Sequence, residues 1–171
     1  YPNNYDNRPD DENIDGGITR QVGIHAVRFI EHVCGERVSK IITAETNIGA
    51  PEGRKLITAS SLIMKLEKGG VASVCLNYCN PETFGLWGNE SLRAFGTKGV
   101  AEITDGGRNT HLWTKEKDYG AFCERDAKCK PFFEILAEHL LFGSQMPFDS
   151  ETELHPLRVV IRAYENKIWD K

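Results

Sequence analysis

The 171-residue chain lacks any long apolar run, so we expect no membrane span: no stretch holds the ~18 consecutive apolar residues that one needs. Basic residues are not in excess either, since 21 Lys and Arg stand against 25 Asp and Glu, for a formal net charge of −4. Without a basic stripe, the sequence shows no electrostatic footprint for nucleic acid. These absences predict a globular domain that has neither a membrane nor a nucleic acid as its partner.

The five cysteines include no Cys-x-x-Cys pair. Their number is odd, and a chain of this length can bury a sufficient core without disulfides. We therefore expect buried free thiols in a reducing compartment, which predicts a cytoplasmic protein. His111, Cys123 and Cys129 show no recognised spacing of zinc ligands, so no metal is expected.

Nucleotide and nucleophile motifs are also missing. No G-x-G-x-x-G follows a predicted strand, and no G-x-S-x-G elbow is present. The stretch FGTKGVAEI lacks the four-residue gap of a phosphate loop and lies between strands, so we interpret it as a turn. The sequence by itself therefore predicts no dinucleotide site in this chain.

The elements that the sequence does predict follow a simple order. Residues 1–15 are polar and rich in Pro, Asn and Asp, which is typical of a loop. A helix follows from about Gly16 to Cys34, because Asp15 can cap its start and Gly35 is a natural stop. β-branched runs, hairpin turns and helical periodicity define the rest. These are strands at 38–48, within 57–80, within 91–105 and at 109–116, and helices at 131–143 and 150–171.

This order predicts an α+β fold with an open, mostly antiparallel β-sheet and helices packed on one face. Consecutive strands joined by short hairpins must be antiparallel, and strands grouped apart from helices give this architecture. Pro156 is expected in the first turn of the last helix, because a proline deeper inside removes a hydrogen bond. The aromatic side chains expected in the core are Phe132, Phe133, Phe142 and Phe148.

The two faces of the sheet are expected to differ. In the run 71–78, alternate side chains point to opposite faces. One face is wholly apolar or aromatic, and its residues are Ala72, Val74, Leu76 and Tyr78. The other is not strongly polar, and its residues are Val71, Ser73, Cys75 and Asn77. We expect a second subunit or domain to cover this second face.

The first helix carries the strongest functional candidate, His25. An apolar stripe is expected from Ile18, Val22, Phe29 and Val33, with Ala26 beside it. Gln21 lies one turn before His25 and Arg28 one turn after, so the three form a polar seam along the border of this stripe. Two interpretations stay open. His25 is either a core histidine satisfied by its neighbours or a cleft histidine that exchanges a proton near neutral pH.

Gly23 is an unusual residue for the interior of this helix. Glycine there costs about 1 kcal/mol relative to alanine. Its presence therefore suggests that another backbone or a ligand approaches the helix closely.

Four segments of the chain match, in order, a pattern known from one enzyme family. They are DGGITRQVGIHAVRFIEHVCGE, SSLIMKLEKGGVASVCLNY, LRAFGTKGVAEI and PFFEILAEHLLFGSQMPFDSETELHPLRVVIRAYEN. Together they resemble the C-terminal domain of the Gfo/Idh/MocA oxidoreductases, over roughly residues 8–168. The resemblance implies the C-terminal fold of the glyceraldehyde-3-phosphate dehydrogenase type, with 1–15 as an initial loop and 16–171 as the domain.

The resemblance also implies a function. Residues 16–171 would be the substrate-binding and oligomerisation domain of an NAD(P)-dependent oxidoreductase that acts on a sugar or cyclitol. We expect an N-terminal Rossmann domain before Tyr1, because the family binds NAD(P) and carries its catalytic lysine there. This chain alone is then expected to bind no cofactor and to be inactive. The open sheet face is expected to form a homo-oligomer, and the polyol substrate would lie between the two domains.

By resemblance, His25 matches the family's histidine and is expected to be catalytic, contacting the hydroxyl that loses its proton. Gln21 matches the family's aspartate, and together with Arg28 it is expected to bind and orient the substrate. This is a departure, because an amide neither titrates nor carries charge. A non-catalytic ligand-binding or interaction module of the same fold therefore stays open as the alternative.

Overall fold

The computed structural model describes residues 8–11, 13–85, 88–122 and 128–168. The expected α+β class is confirmed, with the strands of the described residues in two antiparallel sheets rather than one. The elements in chain order are α1 (Gly17–Cys34), β1 (Val38–Thr46), β2 (Ala59–Leu66), β3 (Val71–Asn77), β4 (Leu92–Phe95), β5 (Gly99–Thr104), β6 (Asn109–Thr114), β7 (Asp118–Gly120), α2 (Phe132–Phe142) and α3 (Ser150–Glu165).

The chain divides into two compact units, named here by their content. Among the described residues, the helix–sheet unit holds those of 8–82 and 146–168, and the hairpin unit holds those of 83–145. In the helix–sheet unit, β1, β2 and β3 form an antiparallel sheet in that order. In the hairpin unit, β4 to β7 form a second antiparallel sheet of four strands in sequence order. The predicted hairpin at Lys68-Gly69-Gly70 is confirmed, since it joins β2 to β3.

The core of the helix–sheet unit lies between one face of the sheet and the two helices α1 and α3. Burial alternates along β2 because successive strand residues face opposite sides. Its inward residues belong to one core cluster with the buried residues of both helices, and each fully buried aliphatic side chain contributes about 1.5–3 kcal/mol. The members of this core are Val27, Ile30, Val38, Ile41, Leu62, Met64, Leu66, Val159, Val160 and Ala163.

The buried face of α1 differs from the predicted stripe. Ile18 is buried as expected, but Phe29 and Val33 are 38% and 42% exposed. The residues that are buried instead are Gly17, Ile18, Thr19, Gly23, Val27, Ile30 and Glu31. The helix therefore has two apolar sides. Periodicity finds both, but it cannot tell which of them meets the sheet.

Gly23 lies in this buried face, where α1 meets α3 and β3. A Cβ built on Gly23 would lie 3.5 Å from Val160 Cγ2 and 3.9 Å from Leu76 Cδ1. Its near neighbours are therefore side chains of the core, whereas the sequence suggested a second backbone or a ligand. Both distances are ordinary van der Waals contacts, so the site has room for a methyl group.

α3 differs from its prediction at both ends. Pro156 is buried within the second turn, so its placement in the first turn was wrong. The helix ends at Glu165 rather than at 171, and the chain then runs beside β1. There the backbone N–H of Ile168 donates to Thr43 O at 3.0 Å. This bridge ends the helix because the backbone must become extended to reach the strand.

Two expectations of burial were wrong. In the hairpin unit, Phe132, Phe133 and Phe142 of α2 are exposed, and the described part of this helix has no buried residue. The described cysteines are free, as expected, but they are exposed rather than buried: Cys34, Cys75, Cys79 and Cys129. Cys123 lies outside the described residues.

Among the helices that the structure describes, none is both long and apolar enough to cross a bilayer.

We predict that Gly23→Ala stabilises the chain by about 0.5–1 kcal/mol, because alanine loses less backbone entropy in a helix. The added methyl group would meet Val160 at a normal distance. Denaturant unfolding of the purified chain measures this difference.

Gly17→Ala is the matched control, because it adds the same methyl group at the start of the same helix. Gly17 has a φ of +73°, and its Cβ would lie 2.5 Å from Ile57 Cβ. The substitution should therefore destabilise the chain by more than about 1 kcal/mol. Loss of stability in both variants would contradict the packing described for Gly23.

Candidate functional site

The candidate site is built on α1, whose N-cap residue and first residue are both left-handed glycines. Gly16 and Gly17 have φ values of +71° and +73°. The Asp15 carboxylate accepts the Gly17 N–H at 3.0 Å, and the Ile57 carbonyl accepts the Ile18 N–H at 3.1 Å. Asp15 was expected to cap the helix, but Gly16 holds the N-cap position and the helix starts at Gly17. Asp15 instead accepts the first helical N–H from one position before the cap.

Asp15 is itself held by a charged neighbour. Arg8 Nη1 donates to Asp15 Oδ2 at 3.0 Å, and Asp15 is only 8% exposed. The same guanidinium group lies over the ring of Tyr78, 4.5 Å from its centroid. Burial raises the pKa of the Tyr78 phenol, and the nearby Arg8 charge opposes this shift. Tyr78 is therefore a neutral packing group near neutral pH and not a base.

His25 lies on the exposed side of α1, opposite the core. The interpretation of a buried core histidine is therefore wrong. None of the described residues hydrogen-bonds to its imidazole ring. An exposed imidazole without an internal partner has both ring nitrogens available to a ligand.

The other two predicted residues share this exposed side but are held by different partners. Gln21 Nε2 donates to the backbone carbonyl of Asp15 at 2.9 Å. Arg28 Nε donates to Glu153 Oε1 of α3 at 2.8 Å. The seam of Gln21, His25 and Arg28 is therefore one helix side with two fixed ends and an unbound imidazole between them. The sequence predicted this side, but it gave no signal for Glu153, 125 residues away.

A part-buried hydrogen bond between a histidine and a glutamate also joins the same two helices. His155 Nδ1 lies 2.8 Å from Glu31 Oε1, and the same oxygen accepts the Val38 N–H at 2.8 Å. Glu31 is buried, so its carboxylate depends on these two donors for the interactions that water would otherwise supply. No sequence pattern indicates this pair, because its members are 124 residues apart.

The hairpin unit has its own contact between a histidine and a carboxylate. His111 Nε2 lies 2.5 Å from Asp118 Oδ1, and its ring stacks on Trp113 with centroids 3.8 Å apart. The backbone N–H of Gly120 and the His111 side chain hold the pKa of Asp118 below its usual range. Within the described parts of the chain, no group of three or more His, Cys, Asp or Glu is placed to hold a metal ion.

Comparison with known proteins identifies the family of this chain. Residues 1–102 match the family model of the GFO/IDH/MocA C-terminal domain. The chain belongs to this family. The Gly-Gly helix with Gln21 and His25 lies inside the matched region. No curated protein sequence matches the chain.

Solved structures of oxidoreductases share the fold of this GFO/IDH/MocA C-terminal domain. A proposed oxidoreductase from Thermotoga maritima superposes with a TM-score of 0.80 at 18% identity, covering 93% of this chain and 48% of its own. An aldose–aldose oxidoreductase from Caulobacter crescentus, complexed with glycerol, gives 0.69 at 18% identity, covering 91% and 48%. An oxidoreductase from Agrobacterium radiobacter, complexed with NAD⁺, L-tartaric acid and magnesium, gives 0.63 at 15% identity, covering 85% and 45%. The chain thus spans about half the length of each.

His25 and His155 of the helix–sheet unit give a matched pair of substitutions. His155→Ala should destabilise the chain by about 1–3 kcal/mol, because it leaves the buried Glu31 carboxylate without one of its donors. His25→Ala should change stability by less than about 0.5 kcal/mol, because the side chain is exposed. Denaturant unfolding of both variants measures this. If His25→Ala lowered the free energy of unfolding as much as His155→Ala, His25 would have a structural role.

Proposed function

We propose that this chain is the substrate-binding and oligomerisation domain of an NAD(P)-dependent oxidoreductase that acts on a sugar or cyclitol. The observation that carries the proposal is the exposed, unbound imidazole of His25, one turn from Gln21 on the Gly-Gly helix of this family domain. Two structural relatives support it, one named as an aldose–aldose oxidoreductase and one complexed with NAD⁺. Because the chain spans about half of their length, the proposal includes an N-terminal Rossmann domain as its partner.

The helix start nearest the site does not fit the phosphates of a dinucleotide. A helix N-terminus binds phosphate through free backbone N–H groups. Here the first two are taken, Gly17 N–H by Asp15 and Ile18 N–H by Ile57. We therefore assign NAD(P) to the partner domain, where the nicotinamide would supply the hydride chemistry.

The residues of this chain would then exchange a proton with the substrate hydroxyl and orient the substrate. A neutral His25 imidazole accepts the proton from that hydroxyl as the alcohol is oxidised, and returns it in the reverse direction. Gln21 hydrogen-bonds to the polyol and orients it. Arg28 keeps its terminal N–H groups for the substrate while its Nε stays on Glu153, so the guanidinium orients the polyol from a fixed position.

The proposed oligomer uses the outer face of the three-stranded sheet. Ile42, Ile63 and Val71 are exposed on the side away from the core. Exposed apolar side chains clustered on one sheet face are typical of an interface with another subunit. We also propose a cytoplasmic location, because exposed free thiols persist in a reducing compartment.

The decisive experiment is steady-state turnover in the two-domain parent protein. Reduction of NAD⁺ or NADP⁺ would be followed with a panel of sugars and cyclitols. His25→Ala should lower kcat by about 10²–10⁴-fold, the usual contribution of a general acid or base. His32→Ala is the matched control, because His32 is exposed on the same helix. Equal turnover in the two variants would contradict a catalytic role for His25.

The second candidate function is a non-catalytic ligand-binding module of the same fold. Gln21 favours it, because a neutral amide replaces the family's aspartate and cannot raise the basicity of a neighbouring imidazole. Under this alternative, the parent protein would reduce neither cofactor with any member of the panel. Gln21→Asp would then restore the family pattern. Turnover gained by that variant would show that the amide at position 21 is the reason for the missing activity.

A further inference from the structure

Each of the three oxygen atoms of Asp15 accepts a hydrogen bond around the start of α1, although Asp15 lies outside the helix. Its Oδ1 accepts the Gly17 N–H, its Oδ2 accepts from Arg8, and its backbone carbonyl accepts from Gln21 Nε2. The side chain is buried, and its partner Arg8 is also held over Tyr78. Asp15 therefore has a fixed position, and its carbonyl oxygen is a fixed acceptor.

This carbonyl determines how the Gln21 amide is turned. A carbonyl oxygen only accepts, so the Gln21 atom 2.9 Å from it must be the NH₂ nitrogen and not the oxygen. The amide oxygen, Oε1, then points away from Asp15. No described residue donates a hydrogen bond to Gln21 Oε1. Gln21 is exposed, so this oxygen is open to a ligand on the same helix side as His25.

We propose that Asp15 is a positioning residue: its backbone carbonyl binds the Gln21 amide and presents Gln21 Oε1 as a fixed, neutral acceptor for a substrate hydroxyl. The inference rests on the proposed function for the identity of the ligand, a polyol. It adds the residue that sets the orientation of Gln21 and the type of group that the substrate must offer there, a hydrogen-bond donor. Because Oε1 carries no charge, it does not repel an acidic sugar as a carboxylate would.

The orientation itself can be tested without a substrate, by NMR on the ¹⁵N-labelled chain. The chain has two glutamines, and Gln145 is exposed without a described partner, so it is an internal control. The bound N–H of Gln21 should exchange with water about fivefold more slowly than those of Gln145, the factor that a net hydrogen bond of ~1 kcal/mol gives. Equal exchange rates would overturn the proposal.

The effect on the substrate can be tested in the two-domain parent, with myo-inositol and D-glucose as probes and NAD⁺ or NADP⁺ as acceptor. Gln21→Met removes both the donor and the acceptor and should raise KM about three- to tenfold. Gln145→Met should leave KM unchanged. A merely structural role of Gln21 would lower the unfolding midpoint but would not move KM, and that result would overturn the proposal.

Gln21→Glu tests the orientation of this side chain separately from the presence of a hydrogen-bond acceptor. An ionised glutamate keeps an acceptor but cannot donate to Asp15 O, so it should also raise KM if the orientation matters. An unchanged or lower KM would contradict the positioning role proposed for Asp15. A parent protein that oxidises neither probe would contradict the proposed function alone, because the exchange rates of Gln21 and Gln145 still decide the orientation.

Discussion

The packing of α1 against α3 and the sheet is the interaction on which the candidate site depends. Gly23 faces Val160 and Leu76, and with Val27 and Ile30 it defines the inward side of α1. A helix has only one orientation that buries these positions together, so the opposite side must face outward. His25 lies on that outward side. The packing of the inward side of α1 is therefore sufficient to place the His25 imidazole in solvent.

Polar contacts then fix α1 against rotation and sliding. Hydrophobic packing alone is nearly non-directional, so a helix with two apolar sides needs other constraints to select one of them. Glu31 binds His155 near the end of α1, Arg28 binds Glu153 in its middle, and Asp15 holds its start. The buried Glu31 is the most demanding of these, because rotation of the helix would leave its carboxylate without donors. Stability and the exposure of His25 thus depend on the same helix orientation.

The sequence predicted the local features of this fold better than its long-range ones. Strands β1 to β6, the hairpin at Gly69-Gly70 and the helix starting near Asp15 follow from patterns a few residues long, and they were found, whereas the short β7 was not predicted. The inward side of α1 was only partly found, because Phe29 and Val33 are as apolar as the residues that are buried. The choice depends on α3, more than 100 residues later, through Val160, Glu153 and His155. Pairings of that kind leave no periodicity in a single sequence.

The amide at position 21 is consistent with the local charges. Asp15 already places a buried carboxylate beside the first turn, and Arg8 is the cation that compensates it. An ionised carboxylate at position 21 would face the Asp15 carbonyl oxygen without a proton to donate. Glutamine avoids this problem, because its NH₂ group donates to the carbonyl and its oxygen stays outward. Gln21 therefore adds no charge at this position but offers a hydrogen-bond acceptor one turn from His25.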